Sequence, residues 1–450
     1  MRLAALVEDR TPRGIAATVA RLVRSGDLRP GDRLPTVRDL AVELSVSPAT
    51  VSGAFQALAA VGLIHSRGRA GTFVLPEPAS WLPPRYRDLA VGAGASATTR
   101  LDLSTGTPDP ELLPPLAPAL ARVAAMTPAA ETGTYVSAPL VPELERLLRE
   151  SWPFHPQRLT MVDGAVDAMS RTLEQVAGFG DRVAVEDPCF PPLLDLLDQL
   201  GLERVPVAHD PHGMRPDGLA AALSTGVGVV VLQPRAHNPT GVSLTATRAR
   251  ELATVIRRHT DGPPVHVIED DHSGEIASSR DVSLGPSIPD RVVHVRSYSK
   301  SHGPDLRLAA VGGPADVLDG LVARRMLGPG WSSRLLQRVL VDLLTDASAM
   351  AAVAHARRVY FARQRALTDA LGELGLRVDP GDGINLWIPV VDETTAMVRL
   401  EAAGIRVAPG APFLAAGRGE RDPGHVRVTV GVLREDVDAV ARALVLAAGP

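Results

Sequence analysis

The 450-residue chain is most informative in what it scarcely uses. It has one cysteine, Cys189, so no internal disulfide can form, and an intracellular, cytoplasmic setting is expected. Aromatic residues make up 3%. No apolar run approaches the ~18 residues of a membrane span. The longest runs resemble Val227 to Leu232. The first ten residues carry acids and no long apolar stretch, so a secretory signal is not expected. With 45% hydrophobic and 22% charged residues, the composition excludes a mainly disordered chain.

Two further scarcities point to chemistry. Of 47 basic residues, 46 are Arg and one is Lys, Lys300. Arg does most surface work of Lys, but its guanidinium stays protonated and cannot act as an amine nucleophile. A single retained Lys is therefore a chemical suspect. Asn occurs twice, at Asn238 and Asn385, which invites a functional reading of both. The histidines show no metal-ligand spacing, and no metal is expected.

Charge divides the chain. Residues 1–76 hold ten Arg against six Asp plus Glu, whereas the remainder holds 37 basic against 45 acidic residues. A basic head on an acidic body points to a head that meets nucleic acid. Helical periodicity runs from Ile15 to Val23, from Val37 to Leu44 and from Pro48 to Val61, with Ser47 as N-cap. Two short strands then flank the turn Arg67 to Gly71, completing a winged helix-turn-helix at 1–76. Residues 77–100, rich in Pro, Gly, Ala, Ser and Thr, read as a linker that could dock through Trp81 and Tyr86.

From 101 to 450 short apolar runs (Arg182 to Glu186, Gly228 to Leu232, Val265 to Ile268, Val292 to Val295) alternate with helical stretches. Such alternation predicts an α/β fold with a large, mainly parallel sheet. Long helices after Ser333, including Met350 to Leu371, and two strands (Leu386 to Pro389, Val426 to Val430) predict a smaller α+β lobe.

The string PGDRLPTVRDLAVELSVSPATVSGAFQALAAVGLIHSRGRAGTFV resembles the GntR-type winged helix-turn-helix. The resemblance implies that Arg38, Ser47, Thr50, Ser52, Arg67 and Gly71 meet DNA, with Arg69 also at the wing. The helix from Pro48 would enter the major groove. Pro48 stands where the family usually places an Arg.

The body resembles fold-type I aminotransferases of class I/II, centred on VRSYSKSHGPDLRLAAVGG. The resemblance implies pyridoxal 5'-phosphate (PLP) bound to Lys300 as a Schiff base, with Arg307 clamping its phosphate and Ser297 or Ser299 adding a hydroxyl. Asp270 in VHVIEDD would pair with the pyridine nitrogen, Asn238 in HNPTG with the phenolic oxygen, and Phe190 would stack on the ring. Lys300 and Asp270 would be the catalytic pair. The turn through Ala165 and Val166 would hold the phosphate on backbone N–H groups. Tyr135 would reach a neighbouring subunit's phosphate, although Leu140 replaces the usual Gly five residues on. Arg427 would bind a substrate carboxylate; Asn385 would face substrate or cap a loop. His272 stands where relatives usually have Tyr, a residue expected to titrate near neutral pH and bearing on transamination more than on cofactor binding.

A GntR-type head on an aminotransferase-like body is similar to the MocR family of PLP-dependent regulators. That resemblance implies a cytoplasmic homodimer that binds double-stranded DNA and senses PLP, or an amino acid or amine joined to PLP as an aldimine. The other readings are an active aminotransferase with a tethered head, and a DNA-binding scaffold with an inert body. The intact set Lys300, Asp270, Asn238 and Arg307 argues against the last.

Overall fold

The structure is a computed structural model that describes residues 3–7, 9–25, 27–60, 63–66, 71–75, 82–90, 99–128, 133–135, 137–260, 262–417 and 424–449. It divides into two compact units, one holding Met1–Arg87 with Gly178–Asp181 and Leu194–Glu203, the other holding the rest.

The first unit carries the head. Its helices span Pro12–Ser25, Val37–Leu44 and Pro48–Ala60. The hairpin strands β1 (Ile64–Ser66) and β2 (Thr72–Val74) pair antiparallel, Ile64 opposite Val74. Local chemistry sets the boundaries. The Thr36 hydroxyl accepts the Asp39 N–H at 3.2 Å and donates to the Asp39 carboxylate at 2.7 Å, starting the second helix. That helix ends at Ser45 in the left-handed region. Ser47 then accepts the Thr50 N–H at 3.1 Å, and Pro48 is the first helical residue. Ile15, Val19, Leu40, Leu44, Val51, Phe55, Leu58, Ile64 and Val74 close one core from all these elements.

The expected linker contains a helix, Pro84–Ala90. Asp195 accepts the backbone N–H groups of Arg85 and Tyr86 at 3.0 and 3.2 Å. The Arg85 guanidinium reaches Asp195 at 2.9 Å and Asp198 at 2.6 Å. A carboxylate at a helix N-terminus satisfies otherwise orphaned donors. Trp81 lies outside the described residues.

The second unit is α/β. Its chain order is β3 (Leu101–Asp102), β4 (Arg158–Val162), β5 (Arg182–Asp187), β6 (Glu203–Asp210), β7 (Gly213–Met214), β8 (Val227–Leu232), β9 (His266–Asp271), β10 (Val292–Ser297), β11 (Ala309–Gly313), β12 (Asn385–Val390), β13 (Ile405–Arg406), β14 (Ala408–Pro409) and β15 (Gly424–Thr429). Eight form one sheet in the order β4-β11-β10-β9-β8-β5-β6-β7. Strands β5, β8, β9 and β10 are parallel, and β11 runs antiparallel to both β10 and β4. Strand β8 reads VGVVVL and is buried along nearly its whole length, as a strand covered on both faces requires. The smaller lobe holds β12-β15-β14 and the helices Glu393–Ala402 and Val437–Ala448, around a core of its own. The 27-residue helix Ala347–Glu373 contributes Leu367 and Leu371 to that core. Asn385 is the first residue of β12, one position inside the expected loop. No single helix among the described residues is long and apolar enough to cross a membrane.

Candidate functional site

The parallel strands deliver their polar residues at their carboxyl ends, where open α/β sheets bind ligands. Asp270 is the fifth residue of β9 and sits opposite Val295 of β10. Lys300 follows β10 by three residues, and Asn238 follows β8.

Asp270 is 2% exposed. Its Oδ2 accepts the Gln233 Nε2–H at 2.8 Å, while its Oδ1 is buried with no hydrogen-bond partner among the described residues. Burial raises its pKa to about 6, against the Gln233 bond and with help from neighbouring Asp271. A buried carboxylate oxygen with nothing to accept from is costly unless a donor arrives. A protonated pyridine nitrogen is such a donor.

Lys300 donates from Nζ to the Gly106 carbonyl. Burial lowers its pKa to about 8, and the Arg427 guanidinium lowers it further, offset by Asp270. An amine held there is a far better nucleophile at neutral pH than a surface lysine.

At the far end the turn Asp163-Gly164 leads from β4 into the helix Ala165–Val176, which has no side-chain cap. Ala165 and Val166 open that helix, whose first N–H groups lack intrahelical partners by construction. Arg307 donates to the Asp163 carbonyl at 2.8 Å. Gly164, at φ +102°, makes room for it, because a Cβ there would stand 2.7 Å from Arg307 Nη2. The acids of this turn are neutralised from behind: Arg325, 2% exposed, pairs with Asp163 at 3.1 Å and Asp167 at 2.9 Å. An exposed guanidinium beside a helix N-terminus, with the nearby acids already paired, suits a phosphate. Ser297 is buried and its Oγ accepts the Ser299 N–H at 3.3 Å, so Ser299 holds the more open hydroxyl.

Arg427, on β15, is 3% exposed. It donates to Asn238 Oδ1 at 3.4 Å and to the Ser104 carbonyl, and lies 5.2 Å over the Phe413 ring. Gly106, at φ +64°, passes so close that a Cβ would meet Arg427 Nη1 at 3.0 Å. The segment from Ser104 to Gly106 thus offers one carbonyl to Arg427 and another to Lys300. Asn385 faces Thr429 across the ladder and accepts its hydroxyl at 3.0 Å, which ties it to the strand pair. Phe190, partly buried, follows β5; the N–H of the preceding Cys189 donates to the Phe413 carbonyl at 2.7 Å.

His272 differs from its expected behaviour. Burial, then the Lys300 charge, lowers its pKa to about 4, so it does not titrate near neutral pH. Its Nε2 lies 3.0 Å from the Ala236 carbonyl, which can only accept. The neutral ring therefore carries its proton on Nε2 and leaves Nδ1 as an acceptor. A Tyr hydroxyl would have been a donor. Tyr135 is 84% exposed and packs edge-on to Trp331 at 6.1 Å.

Among the described residues one cluster is of metal-ligand type, Asp271, Asp281 and His294, and Asp271 adjoins Asp270 in β9. Arg235 pairs with the buried Asp271 and Arg296 with the exposed Asp281, so both acids already serve ion pairs.

In the head, Arg38 is exposed on the helix that precedes the recognition helix. Ser47 Oγ and Thr50 Oγ1 are 2.8 Å apart, and Ser52 is partly exposed one turn on. Gly71, at φ +107°, leaves space for Arg33, whose Nε a Cβ would approach to 2.5 Å. Arg67 and Arg69 lie outside the described residues.

With this geometry in hand, the chain compares closely with known proteins. Bacterial regulatory proteins of the gntR family match at residues 11–74, and aminotransferases of class I and II match at 98–444. The vitamin B6 salvage pathway transcriptional repressor PtsJ of Salmonella typhimurium is 37% identical over 439 residues, covering 96% of both chains. The chain belongs to the MocR-type regulators of the GntR family. The pyridoxine biosynthesis transcriptional regulator PdxR of Corynebacterium glutamicum is 26% identical, covering 81% of this chain and 79% of its own. A Pyrococcus horikoshii kynurenine aminotransferase shares the body fold with a TM-score of 0.70 at 20% identity, over 82% of this chain and 94% of its own.

In this MocR-type chain three residues support the site without any motif in the sequence that marks them. Gln233 bonds Asp270, Glu186 accepts the Gln233 N–H, and Arg325 pairs with the acids of the Asp163 turn. Gln233 falls five residues before Asn238, immediately after a buried strand, which is the one signal that places it at the site's edge.

Proposed function

We propose that this regulator binds duplex DNA through its head and holds PLP at Lys300, with PLP or an amino compound captured by it as the effector. The observation that carries the cofactor reading is the buried, unpartnered Asp270 Oδ1, set at the same strand ends as the pKa-lowered Lys300. Bound PLP would supply an aldehyde that condenses with amines and a ring that draws electrons from the carbon attached to them.

The chain's own residues supply the rest. Lys300 offers an amine whose lowered pKa, about 8, frees far more of it at neutral pH than an ordinary lysine would. Asp270 accepts the ring N–H and Asn238 reaches the phenolic edge. Arg307 and the N–H groups of Ala165 and Val166 hold the phosphate, and Phe190 covers the ring. An amino-acid effector would bring its carboxylate to Arg427. To do so it must displace the Ser104 carbonyl from Arg427, while the Gly106 carbonyl loses its bond when Lys300 is engaged; both stand just after β3, a few residues beyond the linker. That gives the effector different contacts in two states of one segment, as any ligand-driven switch requires. The name of the Salmonella relative, a vitamin B6 salvage repressor, favours a B6 compound among the effectors. The exposed Tyr135 fits a role across a homodimer interface, and a cytoplasmic protein fits the single cysteine.

The test has two parts. Borohydride should fix the cofactor to one peptide containing Lys300. DNA affinity should then change when PLP or amino acids are added, with keto-acid release followed in the same samples. Rapid keto-acid release with unchanged DNA affinity would replace this reading by that of an aminotransferase with a tethered head. His272 weighs against that alternative, since its bare Nδ1 cannot give the phenolic oxygen the hydrogen bond that a Tyr gives.

A further inference from the structure

Among the described residues, the Gln233 side chain bonds both Asp270 and the Asn238 main chain, the two residues that would face the ring's polar edges. It lies just past β8 and is 8% exposed. Its Oε1 accepts the Asn238 backbone N–H at 2.8 Å. Its Nε2 donates to Asp270 Oδ2 at 2.8 Å. Its own backbone N–H donates to Glu186 Oε2, again at 2.8 Å.

These three bonds have a fixed polarity. A backbone N–H can only donate, so Gln233 must turn its carbonyl to Asn238 and its amide N–H to Asp270. Oδ2 of Asp270 must then accept. Any proton carried by Asp270 is confined to Oδ1, the oxygen without a partner. A carboxylate beside another acid would otherwise be free to rotate or to share a proton through either oxygen.

We propose that Gln233 is a positioning residue: it fixes Asp270 with Oδ1 toward the ring nitrogen of bound PLP and, through the Asn238 main chain, sets the contact with the phenolic oxygen. Glu186 supports it from below. Burial raises the Glu186 pKa to about 8, so at neutral pH it adds little negative charge beneath Asp270. Its second contact is His237 Nε2 at 3.5 Å, a ring that burial keeps neutral. Glu186 and His237 therefore add little charge beside Asp270, whose charged neighbours include Asp271, itself paired with Arg235, and Lys300.

This inference rests on PLP binding at Lys300, and the experiment separates the two. Three full-length variants are compared: Gln233→His, Gln233→Glu and Gln233→Met. A neutral imidazole keeps one donor and one acceptor. Glu keeps the acceptor for Asn238 but loses the donor and adds a charge beside Asp270. Met keeps the volume and loses both bonds. The readouts are the PLP dissociation constant and the absorbance spectrum of bound PLP across the neutral pH range, with apo-protein thermal unfolding as a control.

Gln233→Glu should weaken PLP binding by about 10-fold or more and shift the spectrum, and Gln233→His should stay within about 3-fold of the unaltered protein. Gln233→Met should fall between them. Should Met disturb folding, the Glu and His pair decides alone. Equal affinity and equal spectra for Glu and His would overturn the inference. If borohydride fails to mark Lys300 in the unaltered protein, the underlying cofactor reading falls instead.

Discussion

The head and the body of this chain put function in opposite environments. In the head, Arg38, Ser47 and Thr50 stand at the surface over a core they do not enter. In the body, Asp270, Asn238, Arg427 and the Gln233 that supports two of them are all at least 90% buried and bonded to one another or to nearby backbone. A surface contact with DNA is additive and screened by salt. A buried network is neither, because removing one partner strands another. Substitutions in the two regions should therefore fail in different ways.

The largest effect expected is in the body. Lys300→Ala should abolish the borohydride-reducible covalent adduct altogether; an adduct that persists would remove Lys300 from the centre of the site. Next is Asp270→Ala, which would withdraw the proposed partner of the ring nitrogen. PLP affinity should fall by about 10–100-fold, read by equilibrium dialysis, since hydrogen bonds to charged groups contribute about 1.5–3 kcal/mol.

The pH behaviour of the apo protein sharpens the contrast. The nucleophile is the uncharged amine, whose fraction grows as pH rises through the pKa. With Lys300 lowered from 10.5 to about 8, PLP capture should rise through a midpoint near 8 and level off above it. At pH 7 the free-amine fraction would then be about 300 times that of an ordinary lysine. A midpoint near 10.5 would mean that Lys300 is solvated like a surface residue.

In the head, Arg38→Ala should weaken specific DNA binding by about 1–3 kcal/mol if it reads a base. Affinity of the unaltered protein should fall steeply with salt. A loss that does not depend on DNA sequence would make Arg38 a phosphate contact.

Legibility differed between the regions for physical reasons. The head's helices follow from periodicity and caps: Val37–Leu44 is bounded by Thr36 and Ser45, and Pro48 opens the next, as the sequence pattern expects. The strands of the large sheet were visible as Val-rich runs bounded by polar residues. Lys300 stood out because it is alone of its kind. Gln233 and Glu186 did not, because their importance lies in what packs beside them after folding, and no spacing encodes that. Arg325 was hidden among 46 arginines, and its pairing with Asp163 and Asp167 spans about 160 residues of chain. The His272 pKa could not be read from sequence either, since its direction is set by burial beside Lys300.

Coupling between the two environments is the central claim, and one measurement bears on it most directly. DNA affinity of the full chain is measured while PLP is titrated in, for the unaltered protein and for Lys300→Ala. A coupling of about 1–3 kcal/mol predicts a ~5–150-fold change for the unaltered protein, with DNA changing PLP affinity by the same factor. Lys300→Ala should show no such change over the same range. Identical PLP responses in the two proteins, or none in either, would contradict the account.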